Sequence, residues 1–181
     1  MNQPKIIPLL FIGLLSISTS PIVAKSLASS GTIVAFWRMC LASFFLWGYS
    51  TFYSKNIKKL SPSNRIKTSL AGVLLGIHFI LFFEAVKITT IANATFLGTL
   101  APFFTLMIEL IVFKRRYRKM VYIGLLVSLI GTFLILMNSF DISSKFTLGN
   151  IYAILCSLSI GISFLIAEKV RDTEGTIEYT R

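Results

Sequence analysis

The chain has 181 residues, of which 55% are hydrophobic and only 14% charged, and its mean hydropathy is +0.79. A water-soluble domain carries about 25% charged residues because its surface faces water, so this composition excludes an ordinary soluble fold. The net charge of +11 sits in short segments between apolar runs, with no basic domain and no interleaved aromatic platform, which excludes a nucleic-acid partner.

The apolar runs are each close to the length a helix needs, about 20 residues, to cross a hydrocarbon core of ~30 Å. The first extends from Ile6 to Val23 and contains Pro8 and Pro21. Bulky Ile22 stands at position −3 of a cleavage point after Ala24, which favours an uncleaved first helix over a signal peptide. The second run, Thr32 to Tyr53, holds Arg38 as its one charge, and Trp37, Trp47, Tyr49 and Tyr53 read as interfacial belt residues. A basic loop, Ser54–Lys67, follows, broken at Ser61-Pro62-Ser63-Asn64.

The third run, Thr68 to Ile88, includes His78 and Glu84; Thr89-Thr90 connects it to the fourth, Ile91 to Phe113, which holds Pro102 and Glu109. The densest cationic cluster, Lys114 to Lys119, precedes the fifth run, Met120 to Phe140, and the sixth, Leu148 to Ala167. A polar tail occupies 168–181. Lipid offers no partner to open backbone groups, so the predicted fold is an all-α, polytopic transmembrane helical bundle of six spans. The lipid bilayer is its first partner.

Orientation follows from the cations. The N-terminus, the second and fourth loops and the C-terminus hold 14 Lys and Arg; the opposite side holds Lys25, Lys87 and Lys145, and Arg38 makes up the total of 18. The positive-inside rule then predicts N-in/C-in.

Five residues are candidates for a solute path. Arg38 and Glu84 lie at depths of roughly 9 and 6 Å from the outer side, and an intramembrane charge is costly unless paired or hydrated. The pair is read as lining the path, with a purely structural clamp or separate snorkelling as the alternatives. His78, near mid-membrane, suits either proton coupling or a hydrogen bond to a neighbouring helix. Asn93 either binds solute or caps the fourth helix. Pro102 removes a backbone hydrogen bond and predicts a kink. Glu109 is expected to pair with an arginine of the adjacent loop.

Gly72 with Gly76, Ala94 with Gly98, and Gly124 with Ser128 recur at four-residue spacing and predict close helix packing. Cys40 and Cys156 read as small packing residues, with neither disulfide nor metal spacing. The residues spell no paired catalytic carboxylates, no HExxH and no nucleotide-binding loop. An enzyme, a cofactor and a metal site are therefore not expected, and energy is expected from a gradient.

Several segments resemble the EamA-type family of the drug/metabolite transporter superfamily. Phe36-Trp37-Arg38 with Met39 to Ala42 resembles its second helix. Phe82 through Ala94 is similar to its "ALKYTSAANASL" junction, Leu100 through Thr105 to its "LSPVFTALLA" helix, and Tyr122 through Gly131 to its "QWLGxxLILLG" helix. Arg115-Arg116 stand where the family places a GER or KEK pair, so its usual loop glutamate is missing. The resemblance implies a transporter of small organic solutes in the plasma (bacterial inner) membrane, with the region of Pro102 lining the cavity.

It also implies two tandem five-helix repeats inserted in opposite senses. On that plan residues 1–140 form one five-helix repeat and 141–167 the first helix of a second; Leu14, Ser16 and Ser18 echo at Leu155, Ser157 and Ser159. Two copies with this charge bias would insert in parallel and would not rebuild an antiparallel pair. The expectation is either a second chain supplying the missing repeat, or a truncated, non-transporting remnant or accessory subunit.

Overall fold

A computed structural model of the chain describes residues 3–53, 60–137, 143 and 146–171. The described residues form seven helices, in order α1 (Gln3–Ser26), α2 (Gly31–Tyr53), α3 (Pro62–Ile88), α4 (Ile91–Gly98), α5 (Ala101–Ile111), α6 (Lys119–Leu136) and α7 (Thr147–Arg171). The described residues form no strand. The chain is an all-α membrane bundle. Four passages, α2, α3, the α4–α5 unit and α7, are long and apolar enough to cross a membrane, while α1 and α6 contribute shorter apolar segments.

The helix ends follow local chemistry more than hydropathy. Residues 62–67, predicted as loop, are the first turns of α3. Ser61 is its N-cap, with Oγ accepting from the amide of Asn64 at 3.3 Å, and Pro62 fits the first turn because no N–H is needed there. The polar tail likewise begins later than predicted, since α7 continues through Arg171; residues 172–181, and Lys145, lie outside the described residues.

The fourth run is one membrane passage made of two helices. Pro102 has no N–H for the carbonyl four residues back, Gly98, and α4 ends at Gly98. Thr99 and Leu100 turn the chain, with amides donating to Thr95, Phe96 and Leu97 carbonyls. α5 restarts with Pro102 in its first turn. The kink predicted at Pro102 is thus a break two to four residues ahead of it.

α3 and α7 form the centre, α3 touching α1, α2, α4 and α7, and α7 touching α3, α4 and α5. Ala24, Ala35 and Phe83 join α1, α2 and α3; Ala85, Val86, Ala94 and Ala153 join α3, α4 and α7. These contacts are small-residue contacts, as expected where lipid is as apolar as leucine and close van der Waals approach must hold helices together. Polar ties reinforce them: buried Ser163 donates to the Ala71 carbonyl at 3.0 Å, and Ser157 donates to that of Leu97.

The glycines that allow close approach differ from most of those singled out by spacing. A Cβ at Gly31 would lie 2.4 Å from the backbone of Phe83 and Glu84, and one at Gly149 would lie 2.7 Å from Thr89 Cβ. Gly98 packs on Phe82, and Ala94 is wholly buried, so that predicted pair does pack. Among the described residues nothing lies within 4 Å of a Cβ position at Gly72, Gly76 or Gly124, and Ser128 is exposed. The face of α3 that meets α7 is instead marked by Ala71.

Candidate functional site

Five helix ends gather at one end of the bundle: those closing α1 and α3 and those opening α2, α4 and α7. Lys25 Nζ donates to the carbonyls of Val86 (2.6 Å), Lys87 (3.1 Å) and Thr89 (2.7 Å), and Lys87 Nζ returns the contact to Leu27 at 2.5 Å. These are C-terminal carbonyls with no helical donor, where a cation also meets the negative end of the helix dipole. Two of the three cations on the sparsely charged side therefore hold α1 to α3.

Glu84 belongs to the same end. Its Oε1 accepts from the Thr32 amide and the Thr32 hydroxyl, both at 2.7 Å. The expected Arg38–Glu84 pair does not form. Arg38 Nη1 donates instead to Ser20 Oγ at 2.5 Å, and its guanidinium lies 4.7 Å above the Phe79 ring and 5.7 Å from that of Phe83. The reason is geometric: Glu84 sits at the mouth of α2, where free amides draw a carboxylate, whereas Arg38 is about two turns deeper and faces α1.

Asn93 is fully buried, and Thr90, three residues earlier, is the N-cap of α4: its Oγ1 accepts from the Asn93 amide at 3.0 Å and donates to Asn93 Oδ1 at 2.8 Å. The capping role predicted for Asn93 thus belongs to Thr90. Asn93 Nδ2 reaches Asn150 Oδ1 at 2.8 Å, and Thr89 Oγ1 donates to that same oxygen at 3.0 Å. This network fastens α7 to the α3–α4 junction.

At the other end, Arg115 binds Glu109 at 2.7 Å and Glu168 at 2.9 Å, joining α5 to α7. The pairing expected for Glu109 is present. Lys114, with φ 52°, turns the chain after α5, and the Arg115 amide donates to the Glu109 carbonyl at 3.0 Å. Hydrogen bonds to Tyr117, Glu168 and Glu109 hold the Arg115 guanidinium above its ordinary range, and the Glu109 carboxylate raises the Tyr117 phenol. Arg115 therefore stays charged at any physiological pH. Glu168 supplies from α7 a carboxylate that the loop itself lacks.

Among the described residues, two cavities have charged side chains in their walls. One of about 410 Å³ lies between α5, α6 and α7 against Pro102, and its carboxylate, Glu109, is already committed to Arg115. The other, about 400 Å³, is enclosed by α1 through α4. Arg38 and His78 face it among Phe79, Phe82, Ile17 and Ile91, with Ser20 and Thr95. His78 Nδ1 stands 3.1 Å from both the carbonyl oxygen and the Sγ of Cys156, which ties α3 to α7 behind the chamber. An apolar chamber with a few convergent polar groups is the form of a small-molecule site.

A profile of the EamA-like transporter family matches residues 4–137. The chain belongs to that family. No curated protein and no solved structure matches it closely enough to count as a relative. The family match covers α1 through α6, so every wall of the Arg38 cavity comes from EamA-like sequence. Of the five path candidates, the structure brings Arg38 and His78 to this chamber and leaves Glu84, Asn93 and Pro102 outside it. Ser20, Phe79 and Thr95 were missed, because a serine or phenylalanine in an apolar run carries no signal until the crossing of α1, α2 and α3 is known.

Proposed function

We propose that this multi-pass EamA-like membrane protein carries a small organic solute down a gradient through the chamber between α1 and α4, passing it chemically unaltered. The reading rests on one observation: a half-buried guanidinium that meets a serine and two aromatic rings, and no carboxylate among the described residues, faces a ligand-sized apolar cavity inside a transporter-family bundle. Absence of a nucleotide-binding loop from the sequence supports gradient coupling.

The 14:3 cation split supports a plasma-membrane (bacterial inner membrane) placement with both ends cytoplasmic. The gathering of α1 and α3 ends with α2, α4 and α7 starts agrees with six alternating passages. In the repeat plan that the family resemblance implies, α1–α6 form one repeat and α7 opens another, and the solute path runs between this unit and a second set of helices.

The decisive experiment is uptake into proteoliposomes of amino acids, nucleotides and drugs under imposed proton and sodium gradients. Saturable uptake of at least one solute, lowered more than tenfold by Arg38→Ala, is expected. Uptake equal to empty liposomes for every solute would remove the proposal. Uptake indifferent to pH would remove His78 from any proton-coupling role while leaving the path intact.

A further inference from the structure

Resting on that reading and narrowing it, we propose that the Arg38 chamber binds the carboxylate of a singly charged organic acid with an apolar body. The sequence holds seven acidic residues. The three among the described residues are all engaged elsewhere: Glu84 on Thr32, and Glu109 and Glu168 on Arg115. Arg38 has a neutral partner, Ser20, and two aromatic rings. A guanidinium offers five N–H donors in a planar fork that matches a carboxylate with two parallel bonds, so most of its donor capacity remains for a ligand.

Charge balance selects the valence. The chamber presents one fixed cation, and a dianion such as inorganic phosphate would bring a second negative charge into apolar walls with nothing to meet it. The walls select the rest of the molecule. Ile17, Ile22, Phe82 and Ile91 surround the cation, and the His78 and Phe82 rings lie nearly parallel, 14° apart, at 6.3 Å. A body of one ring or a short alkyl chain fits about 400 Å³ with room to turn. Anionic lipid would offer the same oxyanion chemistry to Arg38, so the two sources must be separated.

The test uses the purified full chain in maltoside micelles, which carry no phosphate. Radiolabelled benzoate, 3-phenylpropionate and hexanoate are each competed with the matching amide. The expected result is saturable binding of at least one acid with a preference of tenfold or more over its amide. Arg38→Gln should abolish the preference, and Arg38→Lys should retain part of it. If Arg38→Gln fails to fold, the acid-over-amide ratio of the wild type still decides. No saturable acid binding, equal affinity for acid and amide, or an undiminished preference in folded Arg38→Gln would overturn the proposal. Complete displacement of the acid by phosphatidylglycerol at bilayer ratios would overturn it in favour of a lipid site. Acid binding without uptake in proteoliposomes defeats the transport reading alone; uptake with no acid preference defeats this inference alone.

Discussion

Glu84 Oε1 stands 2.7 Å from both the amide nitrogen and the hydroxyl of Thr32, so a side chain near the end of α3 caps the first turn of α2. The carboxylate answers one of the amides that every helix start leaves without a partner, and its charge suits the positive end of the α2 dipole. Glu84→Ala should lower stability by about 1–2 kcal/mol, the usual cost of losing an N-cap, measured by denaturant unfolding in detergent. Glu84→Gln, which keeps an acceptor oxygen, should lose less. Double-mutant cycles separate this role from an ion pair: Glu84 with Thr32 should couple by more than about 0.5 kcal/mol, whereas Glu84 with Arg38 should be additive within that margin. Strong coupling to Arg38 would contradict the assignment.

Arg115 joins two carboxylates of unequal surroundings, and the two should respond differently to neutralisation. The Glu109 side chain is 11% exposed and that of Glu168 is 44% exposed. Exposed pairs contribute about 0.2–1 kcal/mol and are screened by salt, so Glu168→Gln should be mild and should lose its effect in high salt. Glu109→Gln keeps an acceptor oxygen but removes the buried negative charge that Arg115 and Tyr117 meet, and about 1–3 kcal/mol should be lost. Equal losses for the two variants in unfolding titrations would mean that burial does not govern this cluster.

What the amino-acid order discloses here is depth along a helix; what it withholds is direction around one. Runs of apolar residues located the four passages long enough to cross a membrane, and Pro102 announced the break in the fourth run. The same runs placed the start of α3 six residues late, because Pro62 to Lys67 are polar yet helical, capped by Ser61 in water rather than in lipid. The sequence sets Arg38 and Glu84 at similar depths, but their true offset and their partners, Ser20 and Thr32, are decided by how α1, α2 and α3 cross. The four-residue spacing of Gly72 and Gly76 is visible in one dimension, whereas the contacts of Gly31 and Gly149 join segments more than 50 residues apart. For Lys25 and Lys87 the sequence gives only a side of the membrane, and the carbonyls they bind follow from the approach of α1 to α3.

Asn150 Oδ1 receives both Asn93 Nδ2 and Thr89 Oγ1, so one oxygen ties the start of α7 to the α3–α4 junction. Removing one partner of a buried hydrogen bond leaves the other unsatisfied, at about 1–3 kcal/mol. Asn150→Ala strands two donors, Asn93 Nδ2 and Thr89 Oγ1, whereas Asn93→Ala strands the Thr90 hydroxyl and leaves an acceptor that Thr89 still serves. The first should therefore be the more damaging, and the double variant should fall well short of the sum. Protease sensitivity of α7 and unfolding in detergent measure both effects; strict additivity would place the two asparagines in separate environments.

The glycines offer the sharpest contrast, because the same substitution should act in opposite directions on different helices of the bundle. At Gly31 an alanine Cβ would sit 2.4 Å from the Phe83 and Glu84 backbone, which cannot rotate away; at Gly149 it would meet Thr89 Cβ at 2.7 Å. Overpacking of that kind costs about 1–3 kcal/mol, and Gly31→Ala should also weaken the Glu84 cap by pushing α2 from α3. Gly72→Ala and Gly124→Ala meet nothing within 4 Å and replace a poor helix former with the best one, so each should be neutral or stabilising by up to about 1 kcal/mol. Unfolding midpoints of the four variants in monodisperse detergent preparations provide the comparison. A marked loss at Gly72, with none at Gly31, would mean that the α3 surface carrying Gly72 is held against another body and that the α2–α3 approach is looser than the described geometry.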